Sequence, residues 1–351
     1  MVDKAISTQD TAHRKAAPGY ELRELSRLER LIGAEWYRLI RGVVTNPLSV
    51  AGLILVLVFV LMAAFAPVLA PPVEGTYDPY LIPRDGYGPE PKPPGTAWRL
   101  YPPPVPGWYR MVMGQDSWVH LFGTTSGQFD IYYGIIWGAR TALFVGVVIT
   151  AITVVIGLVV GSIAGYYGGL IDDLLMRITE IFLGFPFLLA ALTLSAILVP
   201  LFGRGIWPAT IALIAFGWMT YARVIRGEIF SAKEREYVLA ARVVGAKDSR
   251  TLMRHIVPNA IYPILVLASM RVGDYVLSFA TLSFLGVGTD IGYADWGQIV
   301  SFARDWILSL DVNWYIIVFP GMALLLFGLG WNLIGDALRD ILDPRLRGPR
   351  G

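Results

Sequence analysis

The amino-acid sequence predicts an all-α membrane protein in which six transmembrane helices form one bundle. Of its 351 residues, 55% are hydrophobic and 16% are charged, and the mean hydropathy is +0.56. These values exceed what the solvated surface of a globular protein tolerates. In addition, six apolar stretches approach or exceed the roughly 18 residues at which a transmembrane helix is predicted. The stretches are residues 49–70, 141–165, 178–201, 206–224, 261–285 and 314–334.

The chain begins with a charged tail, residues 1–45, ahead of the first predicted span, residues 46–70. Within the tail, leucines recur at helical spacing over residues 20–40, among arginines and glutamates. Such an amphipathic helix suits the membrane surface, with Trp36 and Tyr37 as interfacial anchors. A solvated helix that packs on a partner is the alternative. Because the tail lacks a cleavable signal-peptide pattern, we expect the first span to remain as an anchor.

A loop of different composition, residues 71–138, separates the first two spans. It is rich in proline, glycine, tyrosine and tryptophan and has few β-branched runs. We expect an ordered but irregular segment, partly polyproline II, that its aromatic side chains hold in place. The other five spans form a core, residues 139–337, and a tail, residues 338–351, follows.

Positive charge orients the bundle, because cytoplasmic segments retain lysine and arginine. Eight of these residues lie in the first tail, eight in residues 223–254 and four after the last span. The loop up to Arg140 has five, and the loops after the third and fifth spans have one each, Arg204 and Arg304. Six spans place both termini on one side. We therefore expect both termini in the cytoplasm and the loop 71–138 outside.

Two features of the spans predict how the helices pack. Gly157, Gly161 and Gly165 recur every four residues, which gives one helix a flat face that a neighbour can approach closely. Pro186 interrupts the third span and predicts a kink there.

Several classes of function lack the residues that they need. The chain has no cysteine, and His13, His120 and His255 lie far apart without ligand spacing, so we expect no metal site. No GxxxxGKS/T phosphate loop occurs, nor a GxSxG, HExxH or paired-carboxylate pattern, so we expect no nucleotide hydrolysis and no catalytic residues. A net charge of +2 without basic runs argues against a nucleic-acid partner.

A polar segment, residues 234–260, stands between the fourth and fifth spans. Its first part is rich in helix formers and ends at Gly245, a natural helix terminator. Asp248 or Ser249 can cap a second helix, and Pro258 precedes the fifth span. The pattern predicts a short helix over residues 236–244, a tight turn and a second helix from residue 251. An ordinary amphipathic connector is the alternative.

At these residues the chain resembles the permease subunits of ABC importers, whose cytoplasmic loop has the pattern E-A-A-x-x-x-G followed by an isoleucine and a proline. The pattern falls on Leu239, Ala240, Ala241, Gly245, Ile256 and Pro258. Leu239 departs from it, because it occupies the position of the glutamate. Glu234 or Glu236 could supply the ion pair that this glutamate would make.

Further stretches narrow the resemblance to the dipeptide, oligopeptide and nickel branch of that family, and to its second permease subunit. They are NPLSVAGLILVLVFVLMAAFAPVLAP at the first span, HLFGTTSGQFDIYYGIIWGARTALFVG before the second, SFLGVGTDIGYADWGQIV after the fifth and NLIGDALRDILDPRLRG at the end. The resemblance covers the chain from Asn46 onward. The loop over residues 71–119 is longer than is usual for this branch.

The resemblance implies the type I ABC importer permease fold in the cell membrane, with five core spans and an added N-terminal one. It implies uptake of peptides that an extracytoplasmic solute-binding protein delivers. The expected partners are a second, homologous permease and two ATPase subunits, which bind the ATP and magnesium, so that no cofactor is expected in this chain. A coupling loop, residues 230–258, would contact the ATPases. Its candidate residues are Glu236, Leu239, Ala240, Ala241, Gly245, Ala246, Asp248, Arg254, His255 and Pro258.

Other cargoes and another class of transporter stay open at this point. Nickel chelate and oligosaccharide importers share the architecture that the resemblance implies. A transporter or channel driven by an ion gradient is the alternative from another class. Against it, the sequence shows no inverted repeat of hydropathy, no pair of broken helices and few intramembrane acids.

Two charged residues, Arg271 and Asp274, fall within the fifth span, three residues apart and therefore on one helix face. Charges inside a membrane are costly and usually face a cavity or a partner. The two residues are therefore candidates for the translocation path. The alternative is a structural pair that neutralises itself within the bundle.

Overall fold

The computed structural model of the chain describes residues 44–73 and 75–342. The predicted interfacial helix over residues 20–40 and the last nine residues of the predicted tail lie outside this description. The helices are α1 (Pro47–Ala64), α2 (Ala66–Leu69), α3 (Gly107–Met113), α4 (Ile131–Tyr167), α5 (Gly169–Leu183), α6 (Phe187–Phe202), α7 (Ile206–Gly217), α8 (Met219–Ala232), α9 (Glu236–Val243), α10 (Asp248–Thr251), α11 (Val257–Ala260), α12 (Tyr262–Phe284), α13 (Trp296–Ser301), α14 (Leu310–Asn313) and α15 (Tyr315–Leu342). A π-helical turn, Leu252–Ile256, follows α10, and a 3-10 helix, Phe302–Ser309, follows α13.

Within the described residues, five helical segments are long and apolar enough to cross a membrane: α1, α4, α7 with α8, α12 and α15. α5 and α6 together can form a sixth span, but a bend of 85° separates them. The expectation of no broken-helix pair is therefore wrong, and Pro186, where a kink was predicted within residues 178–201, marks a sharp break. Gly184 ends α5, and the proline has no backbone N–H with which to continue it.

Two helices extend past the boundaries predicted for them. α4 begins at Ile131, inside the predicted loop 71–138, because Asp130 caps it. The Asp130 carboxylate accepts a hydrogen bond from the backbone N–H of Tyr133 over 2.9 Å. α15 continues to Leu342, past the predicted end of the core. Hydropathy finds apolar runs, and it does not find helix ends that polar residues form.

The longest helix, α4, packs against α8 along a face that carries Gly157, Gly161 and Gly165, here called the glycine stripe. A Cβ atom at Gly161 would collide with the carbonyl oxygen of Ala222. One at Gly165 would lie 2.8 Å from the carbonyl oxygen of Arg226. The backbones of the two helices are therefore in direct contact, and the predicted close approach at the glycine stripe is confirmed.

The other spans pack around the same helix. α12 contacts both α4 and α15, and α1 contacts α15 and α4. Gly273 of α12 faces Gly328 of α15, so that a Cβ atom at Gly273 would lie 3.0 Å from the Cα atom of Gly328. A second close crossing of backbones thus joins α12 to the last helix.

The loop between α2 and α4 is irregular, as predicted, and interlocking aromatic rings hold it. Tyr109 of α3 and Trp118 pack edge to face with their ring centres 4.6 Å apart. Trp118 also contacts Tyr132 of α4, with 5.9 Å between the ring centres. The indole nitrogen of Trp108 donates a hydrogen bond to the carbonyl oxygen of Leu69 over 3.1 Å. The rings therefore attach the loop both to α4 and to α2.

A buried polar network ties the same loop to the start of α4. The Nδ1 atom of His120 lies 2.6 Å from Asp130 Oδ2, and its Nε2 atom lies 3.2 Å from Asp85 Oδ2. Asp85 also accepts hydrogen bonds from the ammonium group of Lys92 and the backbone N–H of Arg99. Burial raises the pKa of Asp85, but the hydrogen bonds to its carboxylate outweigh burial and hold the pKa below its usual value. His120 thus bridges two carboxylates and has a structural role.

Substituting Gly161 with alanine should force α4 and α8 apart. The added methyl group meets the carbonyl oxygen of Ala222, which the α8 backbone holds in place. We expect a loss of about 2 kcal/mol of stability, the usual scale of overpacking, and a lower melting temperature of the purified protein in detergent. Gly227→Ala is the matched control, because a Cβ atom there meets no heavy atom within 4 Å. Equal melting temperatures for the two variants would contradict a direct backbone contact.

Candidate functional site

The polar segment between α8 and α12 has the predicted shape of a short helix, a turn and a second short helix. α9 ends before a turn at which Gly245 has a φ of +79°, a conformation that glycine adopts at little cost. α10 begins at Asp248, three residues before the start predicted for the second helix. The π-helical turn and α11 then lead back to α12. The segment is therefore a compact hairpin of short helices.

One detail of the predicted hairpin is wrong. Neither Asp248 nor Ser249 caps the second helix, because the N-cap position of α10 makes no side-chain hydrogen bond. The Asp248 carboxylate instead accepts a hydrogen bond from the hydroxyl group of Tyr166 over 2.7 Å. Pro258 precedes the fifth span, as predicted, and lies in α11, while α12 begins after Ile261.

Apolar side chains fasten the segment to the bundle. Val238 of α9 and Ile256 are fully buried, and they belong to one cluster with Ile225 and Ile229 of α8. Burial of each such side chain contributes roughly 1.5–3 kcal/mol. The segment is therefore expected to move together with α8.

Polar contacts attach the segment a second time, to the end of α4. Besides the hydrogen bond between Tyr166 and Asp248, the guanidinium group of Arg242 lies 5.3 Å from the centre of the Tyr166 ring. The ammonium group of Lys233 donates a hydrogen bond to the carbonyl oxygen of Gly165 over 3.2 Å. Tyr166 was not among the residues that the sequence predicted for this site. Its only signal is its place in the last turn of an apolar run.

Most of the predicted coupling residues lie on the exposed surface of the segment. Glu236, Leu239, Ala240, Gly245, Asp248, Arg254 and Pro258 are exposed, and Ala241, Ala246 and His255 are half-buried. Val243 and Val244, which were not predicted, are 87% and 83% exposed. Two adjacent exposed valines in a polar segment are the signal that could have identified them. With Leu239 they form an apolar tip on the segment.

Arg271 and Asp274 lie on one face of α12, as predicted, with Nη1 and Oδ2 3.5 Å apart. Their side chains are 40% and 49% exposed, and the half-buried Ser278 and Thr281 continue the polar row along the helix. A charge that faces lipid is costly. This row is therefore expected to face a water-filled path or a partner subunit, and its part in translocation stays a prediction.

Two family models of transport proteins match the sequence. A family model described as binding-protein-dependent transport system inner membrane component matches residues 154–348. A second, described as the N-terminal transmembrane domain of oligopeptide transport permease C, matches residues 35–91.

Curated relatives match along most of their length. The chain is 34% identical to a dipeptide transport system permease protein of Alkalihalophilus pseudofirmus, over 89% of this chain and 90% of the relative. It is 35% identical to an oligopeptide transport system permease protein of Bacillus subtilis, over 86% of this chain and 87% of the relative. Among solved structures, it resembles a chain of the inward-facing MetNI methionine ABC transporter, with a TM-score of 0.44 and 18% identity over 60% of this chain and 97% of that one. This structural likeness is too low to add to the sequence matches.

Replacing Tyr166 with phenylalanine should loosen the polar segment without unfolding the bundle. The substitution removes the hydroxyl group that donates to Asp248 and leaves the ring in place, a loss of about 1.5–3 kcal/mol for one hydrogen bond to a charged acceptor. We expect faster backbone hydrogen exchange over residues 236–251, measured by mass spectrometry. Tyr167→Phe is the control, because the side chain of Tyr167, next to Tyr166 in the chain, is 54% exposed. Unchanged exchange in Tyr166→Phe would show that this hydrogen bond does not hold the segment.

Proposed function

The chain belongs to the family of binding-protein-dependent transport system inner membrane components, and from this premise we propose that it is the permease subunit of an ATP-driven peptide importer. The observation that carries the proposal is similarity along almost the whole chain. The two relatives named as dipeptide and oligopeptide permeases each match 86% or more of it. These names favour peptides over the nickel chelates and oligosaccharides that the sequence left open. Family membership also argues against a transporter driven by an ion gradient.

The proposed importer contains four further subunits. They are a second, homologous permease, two ATPase subunits and an extracytoplasmic solute-binding protein. ATP and magnesium bind to the ATPase subunits, because this chain has no phosphate-binding loop. The distribution of positive charge supports cytoplasmic termini and a cytoplasmic polar segment, with the loop between α2 and α4 on the outside.

We assign the ATPase contact to the exposed surface of the polar segment. Leu239 occupies the position of the family glutamate, and it belongs to the apolar tip with Val243 and Val244. A contact at this tip would be stabilised by burial of apolar surface, which salt does not screen as it screens an exposed ion pair. Glu236, exposed in the first turn of α9, is available for a charged contact beside it.

Two attachments of the segment would transmit force to the bundle. Val238 and Ile256 pass a displacement to α8, and the hydrogen bond between Asp248 and Tyr166 passes it to α4. Because α4 and α8 also touch at the glycine stripe, they would move as one unit. ATP-driven closure of the ATPase subunits would then tilt this unit and change which side of the membrane the path opens to.

Purification and reconstitution test the proposal. The tagged chain, extracted from its own cells in mild detergent, should bring with it a second permease and two ATPase subunits. In liposomes, this complex should take up a radiolabelled dipeptide only when ATP and the binding protein are both supplied. Uptake that needs an ion gradient and no ATP would overturn the proposal.

Replacing Gly245 with valine should uncouple ATP hydrolysis from uptake. A β-branched residue at a φ of +79° costs about 1–2 kcal/mol or more, so the turn that presents the apolar tip would not form. We expect the complex to assemble in the membrane and to lose most peptide uptake per ATP hydrolysed. Gly245→Asn is the matched control, because asparagine tolerates this conformation. Normal coupled uptake in Gly245→Val would count against the assignment of the segment.

A further inference from the structure

A cleft of ≈ 300 Å³ lies where two helix breaks meet α12. One break separates α5 from α6, and the other is a one-residue interruption at Trp218 between α7 and α8. The cleft is lined by four phenylalanines and by two residues of α12. These residues are Phe182, Phe185, Phe187, Phe216, Arg271 and Tyr275.

The walls of the cleft are held in place by polar contacts. The hydroxyl group of Tyr275 donates a hydrogen bond to the carbonyl oxygen of Gly217 over 3.1 Å, which satisfies a backbone group beside the α7–α8 break. On the α5 side, the guanidinium group of Arg226 in α8 donates two hydrogen bonds to the two carboxylate oxygens of Asp172. This paired contact ties α5 to α8. These hydrogen bonds join the helices that border the cleft and so stabilise its shape.

Among the residues that the structure describes, Arg271 is the one charged residue that lines the cleft. Its hydrogen bond to Asp274 is long, at 3.5 Å, and uses a single guanidinium nitrogen. A guanidinium group carries five N–H donors in a planar fork that matches a carboxylate. Most of this donor capacity is left for a ligand. Apolar walls also strengthen the attraction between a guanidinium and an anion, because they lower the local dielectric constant.

We propose that this cleft binds the carboxylate end of a peptide during its passage, with Arg271 on the carboxylate and the phenylalanine rings on an apolar or aromatic side chain. The proposal rests on the proposed function, which supplies a peptide as cargo. A peptide carries one carboxylate at its end whatever its sequence, so one arginine serves many peptides. The aromatic walls favour apolar side chains over charged ones, because a charge placed against them loses its hydration.

Equilibrium binding to the permease–ATPase complex without its binding protein tests the cleft directly. The probe is radiolabelled Ala-Phe, compared with Ala-Phe amide, on the complex in lipid nanodiscs. We expect the amide to bind at least tenfold more weakly than the acid. Arg271→Gln should weaken binding of the acid by a similar factor and leave binding of the amide nearly unchanged, because the two groups that interact are then removed one at a time.

Arg223→Gln is the matched control, since this arginine lies one turn from Thr220, which also lines the cleft, and itself lines a different cavity. It should bind the acid as the unaltered complex does. Equal binding of acid and amide to the unaltered complex would overturn the proposal, and this measurement needs no variant. ATP-driven uptake by a complex that shows such equal binding would reject the cleft and retain the permease function. Failure of ATP-driven uptake itself would reject the proposed function.

Discussion

Direct contact between the backbones of α4 and α8 is the constraint on which the rest of the structure depends. Without side chains at the glycine stripe, carbonyl oxygens of α8 come within van der Waals distance of α4. No apolar solvent effect drives helices together inside a bilayer, so such close packing is a main source of their association. The contact runs along the last three turns of α4. It therefore sets the position of α8, and with it the base of the polar segment that α8 leads into.

The two helix breaks have a common physical consequence and lie at a common place. A broken helix leaves backbone polar groups without intrahelical partners, and a membrane tolerates this only inside protein or beside a water-filled cavity. Both breaks, at Pro186 and at Trp218, are flanked by residues that line the same aromatic cleft. Tyr275 reaches one of them from α12. Hydropathy shows these segments only as uniform apolar runs. The breaks within them help to form a cleft whose lining includes the positive charge of Arg271.

The sequence predicts the parts of this structure that follow from local composition. The fifth span, predicted at residues 261–285, is observed as α12, Tyr262–Phe284, and the glycine stripe packs as its spacing indicates. The bend of 85° before α6 is sharper than the predicted kink. Hydropathy averaged over a window does not register a Gly-Phe-Pro turn of three residues. Contacts between distant residues could not be predicted at all. Tyr166 and Asp248 lie 82 positions apart, and only the folded bundle brings them together.

α4 is a single helix of 37 residues, and at 1.5 Å per residue it is about 55 Å long. One end is fixed at Asp130, which caps the helix and bonds to His120 of the irregular loop. The other end is fixed at Tyr166, which bonds to the polar segment. Because α4 is one continuous helix that is attached at both ends, a displacement of one end is expected to reach the other. The irregular loop and the polar segment, at opposite ends of α4, are therefore expected to move together.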